Sequence, residues 1–213
     1  PTGVDLQPED WKQILEVLRA NDHVPFIDIA YQGFGDNIEE DAAAVRLFAE
    51  SGMSFFVSSS FSKSFSLYGE RVGALSMVTQ SRDESARVLS QIKRVIRTNY
   101  SNPPTHGATV VSAVLNSPEL RAMWETELGE MRTRIQDMRL TMVRQLAEKG
   151  AKQDFSFVAK QRGMFSYSGL TAAQVERLRV EFGVYAIGTG RICAAALNHG
   201  NLDHVTDAIV QVL

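Results

Sequence analysis

The chain has 213 residues, of which 44% are hydrophobic and 22% charged, as in a globular protein with a sizeable core. Its net charge of −3 gives no electrostatic reason to expect nucleic acid or an anionic membrane as a partner, and no apolar run reaches the ~20 residues that span a bilayer. Cys193 is the only cysteine, so an intrachain disulfide is excluded and a reducing cytoplasm is favoured as the location.

Helix and strand patterns alternate along the first half of the chain, which predicts an α/β fold. The helices are indicated by apolar residues at helical spacing and the strands by short apolar runs. Pro103 and Pro104 end this region, because a proline nitrogen cannot donate a hydrogen bond. The predicted elements are, in chain order, a helix over 10–20, a buried strand over 25–30, a helix over 40–50, strands over 53–57 and 72–78, and a helix over 81–97.

The second half begins with a long predicted helix, from about residue 118 to 149. Its apolar residues are predicted to pack in a core, and they are Leu120, Met123, Leu128, Met131, Ile135 and Leu140. Shorter elements follow, which predicts a second, smaller α+β domain beginning within the long helix. We therefore divide the chain into residues 1–127 and 128–213. The short elements are strands over 164–167, 184–187 and 191–195, a helix over 171–181 and a final helix.

The most informative segment is residues 60–73, with the sequence SFSKSFSLYGERVG. Lys63 follows a predicted buried strand and is flanked by small hydroxyl residues, which favours a partly buried lysine with a lowered pKa that can form a Schiff base. Arg71 lies eight positions further on, and a guanidinium can hold two phosphate oxygens while the Ser60 hydroxyl contributes a third contact. The pattern suits an amine that binds an aldehyde beside a phosphate.

This segment resembles the lysine motif of the class I pyridoxal-phosphate-dependent aminotransferases, in the aspartate and aromatic branch. The resemblance covers essentially the whole chain, but only about the C-terminal half of a family member. It implies that Lys63 binds pyridoxal 5'-phosphate and moves a proton between substrate and cofactor. It also implies that residues 1–127 belong to the large cofactor-binding domain, with a mainly parallel sheet, and that residues 128–213 form the small domain.

Asp28 and Tyr31 are the next candidates. Asp28 lies near the end of an apolar strand, where an unpaired carboxylate would be costly and a cationic ring N–H would compensate that cost. The resemblance of residues 28–34 (DIAYQGF) implies that Asp28 binds the ring nitrogen and that Tyr31 donates to the ring oxygen. A strand-end residue that caps a turn is the alternative for Asp28, and an ordinary half-buried tyrosine is the alternative for Tyr31.

Two arginines and one phenylalanine are the substrate candidates. Arg191 begins an apolar strand after a glycine-rich turn, a placement that suits an amino-acid α-carboxylate, and the resemblance implies that role. By the same resemblance Arg97 receives a side-chain carboxylate across a dimer interface, with a helix C-terminal cation as the alternative. Phe165 resembles a residue lining the substrate pocket, with a core phenylalanine as the alternative. The four histidines have no metal-ligand spacing, so no metal is expected.

These residues predict transamination between an aromatic or dicarboxylic amino acid and 2-oxoglutarate, performed by a cytoplasmic homodimer. Cys193 stands where many aspartate-preferring members carry asparagine, which favours the aromatic branch. A lyase or decarboxylase with the same cofactor is an alternative, although the presence of both Arg97 and Arg191 argues against it.

A third interpretation is a catalytically incomplete fragment that acts only as an association module. Several family ligands would precede residue 1: an asparagine for the ring oxygen, a loop for the phosphate and an aromatic residue that stacks on the ring. We therefore expect the isolated chain to be inactive and its missing N-terminal half to be a required partner.

Overall fold

The computed structural model describes residues 2–213. The chain forms two compact units: Leu6–Leu128, which we call the N-terminal unit, and Gly129–Leu213 together with residues 2–5, which we call the C-terminal unit. The passage from one unit to the other lies inside the longest helix. Within residues 2–213, no helix is both long enough and apolar enough to cross a membrane.

The N-terminal unit alternates helices with three strands, as the sequence predicts. A 3₁₀ turn at Glu40–Ala42 leads into the second helix, and a helix that the sequence analysis missed lies at residues 106–116. The elements are α1 (Pro8–Ala20), β1 (Phe26–Ile29), α2 (Ala43–Glu50), β2 (Phe55–Ser60), β3 (Gly73–Val78), α3 (Arg82–Asn99), α4 (His106–Asn116) and the start of α5 (Pro118–Glu148).

The three strands form a sheet in the order β1-β2-β3, in which β1 and β2 run parallel and β2 and β3 run antiparallel. The described strands therefore form one parallel and one antiparallel pair, where a mainly parallel sheet is predicted. Alternation along β2 points Phe55 and Val57 into the core with Leu15 and Phe48, while Ser58 belongs to the opposite face.

The C-terminal unit is built around a larger core. Its buried side chains come from the end of α5, from the helices that follow and from the segments between them. A short antiparallel sheet completes it, and the carbonyl of Thr2 accepts from the Tyr167 amide at 2.7 Å. The elements after α5 are α6 (Ser156–Ala159), β4 (Phe165–Tyr167), α7 (Ala172–Phe182), β5 (Arg191–Cys193) and α8 (Leu202–Val212).

The predicted core positions of α5 are only partly correct. Leu128 and Ile135 are buried, but Leu120, Met123 and Leu140 are 42%, 55% and 58% exposed. After Ile135, the covered face of α5 continues through other apolar residues at helical spacing. The residues that continue this face are Met138, Met142 and Leu146.

One smaller prediction for the C-terminal unit is wrong. Residues 184–187 do not form a strand, since the only pairing recorded for them in the described chain is a single bridge between Ile187 and Arg191. Cys193 lies at the end of β5, inside the strand predicted over 191–195, and is exposed.

Candidate active site

The carboxyl ends of β1 and β2 carry most of the predicted cofactor residues. Since the two strands are parallel, their carboxyl ends lie at the same edge of the sheet, the usual place for a ligand in an open α/β sheet. Tyr31 follows β1 by two residues and Lys63 follows β2 by three. The Lys63 ammonium lies over the Tyr31 ring, 4.8 Å from its centroid.

A polar cleft of about 330 Å³ opens along the sheet face opposite the N-terminal core. Of the predicted cofactor residues, Asp28, Ser60 and Arg71 line this cleft, whereas Lys63 and Tyr31 are not among its lining residues in the described chain. Ser58 adds a further hydroxyl to the lining. The cleft thus offers a carboxylate, a guanidinium and serine hydroxyls to one ligand.

Asp28 is exposed, which corrects the prediction of a buried strand around it. Alternate residues of β1 face the two sides of the sheet, and only the side of Ile27 and Ile29 packs against the core. The neighbouring strand supplies a partner, because Asp28 lies opposite Ser58 and its Oδ1 accepts from Ser58 Oγ at 2.6 Å. This hydrogen bond fixes one carboxylate oxygen at the floor of the cleft.

Lys63 is half-buried, as the sequence predicts, in a turn whose flanking serines, Ser62 and Ser64, are buried. Trp124 of α5 holds this turn: its indole Nε1 donates to the Ser64 carbonyl at 2.6 Å, and its ring stacks on Phe65 with centroids 4.4 Å apart. The sequence analysis missed Trp124. The available signal was a tryptophan, a large apolar side chain with one N–H donor, followed by the polar residues 125–127.

Arg71 has a left-handed backbone, with φ of 52°, a conformation that is uncommon for residues other than glycine. Its guanidinium is exposed and donates to the Tyr68 carbonyl at 3.0 Å. Ser60 ends β2, and its Oγ accepts from the Ser62 amide at 3.2 Å. Backbone conformations like that of Arg71 are costly and persist only where the surrounding structure holds them, and they concentrate at functional sites.

The loop after Tyr31 is organised by Asp41, a second residue that the sequence analysis missed. Its carboxylate accepts from the amides of Gly33 at 2.7 Å, Gly35 at 2.9 Å and Asp36 at 2.8 Å. Glycine is required at residue 33, since φ is 91° and a Cβ there would lie 2.3 Å from Leu128 Cδ2. Two glycines with an acidic residue shortly downstream were the available signal.

Arg97 lies in the last turn of α3, where it is exposed and donates to Ser101 Oγ. It is not among the residues that line the cleft. Its position also agrees with the alternative, a cation at a helix C-terminus.

Arg191 and Phe165 are neighbours in the C-terminal unit, on the antiparallel pair β4 and β5. The Arg191 guanidinium lies 5.0 Å from the Phe165 ring centroid, within the range of a cation–π contact. Its Nε is buried and has no hydrogen-bond partner among the described residues. Arg191 is half-buried, so a planar cation lies partly covered beside an aromatic ring, an arrangement suited to a carboxylate.

Arg139 of α5 is the third residue that the sequence analysis missed, and it is only 2% exposed. Its guanidinium donates to Ser166 Oγ and to the carbonyls of Gly163 and Phe165, the last at 2.7 Å. Burial lowers the pKa of Arg139 to about 10, so the group remains a cation at pH 7. The available signal was its spacing, four residues after Ile135 and three before Met142.

The chain is similar to known proteins over its whole length. The sequence profile described as aminotransferase class I and II matches residues 1–209. The chain is 80% identical to an aspartate aminotransferase of Pseudomonas aeruginosa and 52% identical to an aromatic-amino-acid aminotransferase of Escherichia coli, covering 100% of this chain and 54% of each relative.

Among solved structures, an aromatic-amino-acid aminotransferase from Burkholderia pseudomallei, covalently bound to pyridoxal phosphate, matches with a TM-score of 0.98 and 68% identity, over 100% of this chain and 53% of that one. The chain thus spans about half the length of the relatives it matches. The family predicted from the Lys63 segment is confirmed: the chain belongs to the class I and II aminotransferases.

Proposed function

We propose that the complete protein carrying this chain is a pyridoxal-phosphate-dependent aminotransferase that exchanges an amino group between an aromatic or dicarboxylic amino acid and 2-oxoglutarate. The observation that carries the proposal is the half-buried Lys63 over the Tyr31 ring, in a family whose Burkholderia pseudomallei member is covalently bound to this cofactor. The Lys63 amine would form the bond to the cofactor aldehyde.

The residues at this edge of the sheet fit the cofactor chemically. A pyridinium N–H requires an acceptor, which Asp28 supplies with one oxygen already fixed by Ser58. A phosphate requires cations and hydroxyl donors, which Arg71 and Ser60 supply in the cleft. When bound, pyridoxal phosphate supplies an electron sink for the electrons of a broken substrate bond. Tyr31 would donate its phenolic hydrogen to the ring oxygen.

Lys63 would also be the acid–base group. Its free amine would take a proton from the substrate α-carbon and deliver it to the cofactor carbon that carried the aldehyde. Trp124 and the buried serines at residues 62 and 64 hold the turn, so that this amine is presented in a narrow range of positions.

For the substrate, we assign the α-carboxylate to Arg191, with Phe165 as the apolar surface beside it. Arg97 would receive the second carboxylate of a dicarboxylic substrate from the other subunit of a homodimer. The relatives named for aspartate and for aromatic amino acids match this chain over its whole length, which supports including both substrate classes. The family membership favours transamination over the alternative of an association module.

We also propose that the rest of the polypeptide covers apolar side chains that the N-terminal unit leaves exposed, among them Phe26 (64%) and Leu75 (54%) on the sheet. Exposed apolar surface of this kind marks a contact with another protein segment. In this proposal residues 1–127 belong to the cofactor-binding domain and residues 128–213 form the smaller domain. A cytoplasmic location remains a prediction.

The test is intact-mass spectrometry after borohydride reduction, performed on the complete protein and on the isolated 213-residue chain. We expect a pyridoxyl-phosphate mass increment that maps to Lys63 in the complete protein and is absent from the Lys63→Ala variant. A Lys93→Ala variant, altered on the exposed face of α3, is the matched control and should keep the increment. An increment on another lysine, or turnover by the isolated chain, would contradict the proposal.

A further inference from the structure

Arg139 is an arginine at a core position of a helix. It lies on the buried face of α5 with Ile135 and Met142, and its partners among residues 2–213 include no carboxylate. Removing a guanidinium from water without a counter-ion is costly, since only hydrogen bonds then offset the lost hydration. A residue of this kind calls for a geometric reason, because packing alone would be served better by leucine or methionine.

All three recorded acceptors of Arg139 belong to one short segment, residues 163–166. The planar guanidinium binds the carbonyls of Gly163 and Phe165 through one nitrogen and Ser166 Oγ through another. The guanidinium presents its donors in a rigid fork, so it determines the direction of these acceptors more narrowly than a lysine could. Arg139 therefore fixes the main chain at the start of β4.

The same segment is the surface against which Arg191 lies. In the β4–β5 pair, Phe165 is opposite Cys193 and Tyr167 is opposite Arg191. The Ser168 amide then donates to the Gly190 carbonyl at 2.9 Å, directly before Arg191. A displacement of β4 would therefore move both the strand partner of Arg191 and the ring over which its guanidinium lies.

We propose that Arg139 is a positioning residue for Arg191: by holding β4, it orients the guanidinium that receives the substrate α-carboxylate. The inference rests on the proposed function in one respect, the role of Arg191. It adds that the affinity for carboxylates depends on Arg139. Among the described residues, the hydrogen bonds of this buried arginine all go to residues 163–166.

The test uses Arg139→Lys and Arg139→Met in the complete protein. The probe is succinate, a ligand with two carboxylates and neither an amino nor an oxo group. Its Kd is measured from the change in absorbance of the bound cofactor. We expect the Kd for succinate to rise about 10- to 100-fold, since a displacement of about 1 Å in a positioned group can cost about 100-fold. KM for the amino acid should rise while kcat and cofactor content change much less.

The matched controls are Arg144→Lys and Arg144→Met on the same helix. Arg144 is 66% exposed and makes a surface ion pair with Glu148 at 3.9 Å, so its replacement should leave the succinate Kd unchanged. If an Arg139 variant does not fold, Ser166→Ala removes one acceptor of the same guanidinium. We expect it to weaken succinate binding in the same direction by a smaller factor.

Arg191→Lys separates this inference from the function on which it rests. If Arg191→Lys weakens succinate binding while Arg139→Lys and Ser166→Ala only lower Tm and leave Kd unchanged, Arg139 is merely structural and the inference is overturned. If Arg191→Lys itself leaves succinate binding unchanged, the assigned role of Arg191 is wrong, whatever the Arg139 variants show.

Discussion

The two units differ in how completely they bury their own apolar residues. In the described chain, the core cluster of the C-terminal unit contains thirteen buried side chains, whereas that of the N-terminal unit contains four: Leu15, Phe48, Phe55 and Val57. The N-terminal unit nevertheless carries Lys63 and the polar cleft. The residues that we assign to cofactor binding therefore lie on the unit with the smaller core.

Two helices illustrate the difference. Both α3 and α8 are amphipathic, yet none of the eighteen residues of α3 is buried, while α8 buries five of its eleven. Val95 of α3 remains 64% exposed, whereas Ile209 of α8 is 1% exposed. An amphipathic pattern thus predicts the helix and its apolar side, but it does not predict which segment packs against that side.

The largest expected effect concerns the chemistry assigned to the N-terminal unit. Replacing Lys63 with alanine removes the proposed acid–base amine, and we expect kcat of the complete enzyme to fall by at least about 10²–10⁴-fold. Steady-state kinetics with an aromatic and a dicarboxylic amino acid are the measurement. Lys93→Ala is the control, and activity in Lys63→Ala within tenfold of the parent would reject the assignment.

The second prediction concerns the stability that each of the two cores provides. Met142 is 0% exposed, so Met142→Ala should destabilise the C-terminal unit by about 2–5 kcal/mol through lost burial and a residual cavity. Leu15 of the N-terminal unit is 8% exposed, and Leu15→Ala should lie at the lower end of that range.

Hydrogen exchange measured separately in α8 and α1 reports the local free energy of opening in each unit. If Leu15→Ala lowers the free energy of opening in its unit as much as Met142→Ala does in the other, the proposed difference between the two cores is wrong.

The third prediction concerns the loop behind Tyr31. Asp41 uses both carboxylate oxygens to accept three amides, and an asparagine has only one oxygen, so Asp41→Asn must place its NH₂ group against at least one amide. We expect a cost of about 1–3 kcal/mol and faster hydrogen exchange at Gly33, Gly35 and Asp36. The exposed Glu40 provides the control, Glu40→Gln, in which these amides should keep their protection.

The smallest expected effect compares two helix caps. Thr171 caps α7 in the C-terminal unit with a reciprocal Gln174 contact, and Ser81 caps α3 by accepting from the Glu84 amide at 3.1 Å. Alanine at either cap should cost about 1 kcal/mol in the complete protein. In the isolated chain we expect only Thr171→Ala to retain its full effect, because α7 packs on a buried core and α3 does not. Urea unfolding of both forms is the measurement, and equal losses in the isolated chain would contradict the comparison.

Local patterns in the sequence predicted much of the fold and part of the candidate site. The helices around residues 10–20, 81–97 and 171–181 were predicted within a few residues, since their apolar spacing and caps are local properties. The position of Lys63 after a buried strand was predicted for the same reason. The helix at residues 106–116 was missed.

By itself, the sequence determined the family, the order of most elements and the residue types available for the chemistry, because motif spacing and periodicity are written along the chain. Only the tertiary structure decided which sides of these elements are covered: it exposed Asp28 beside Ser58, buried Arg139 beneath β4 and placed Trp124 against the turn of Lys63. These outcomes depend on partners 24 to 60 residues away, and no local pattern specifies which distant segment will pack against a given side.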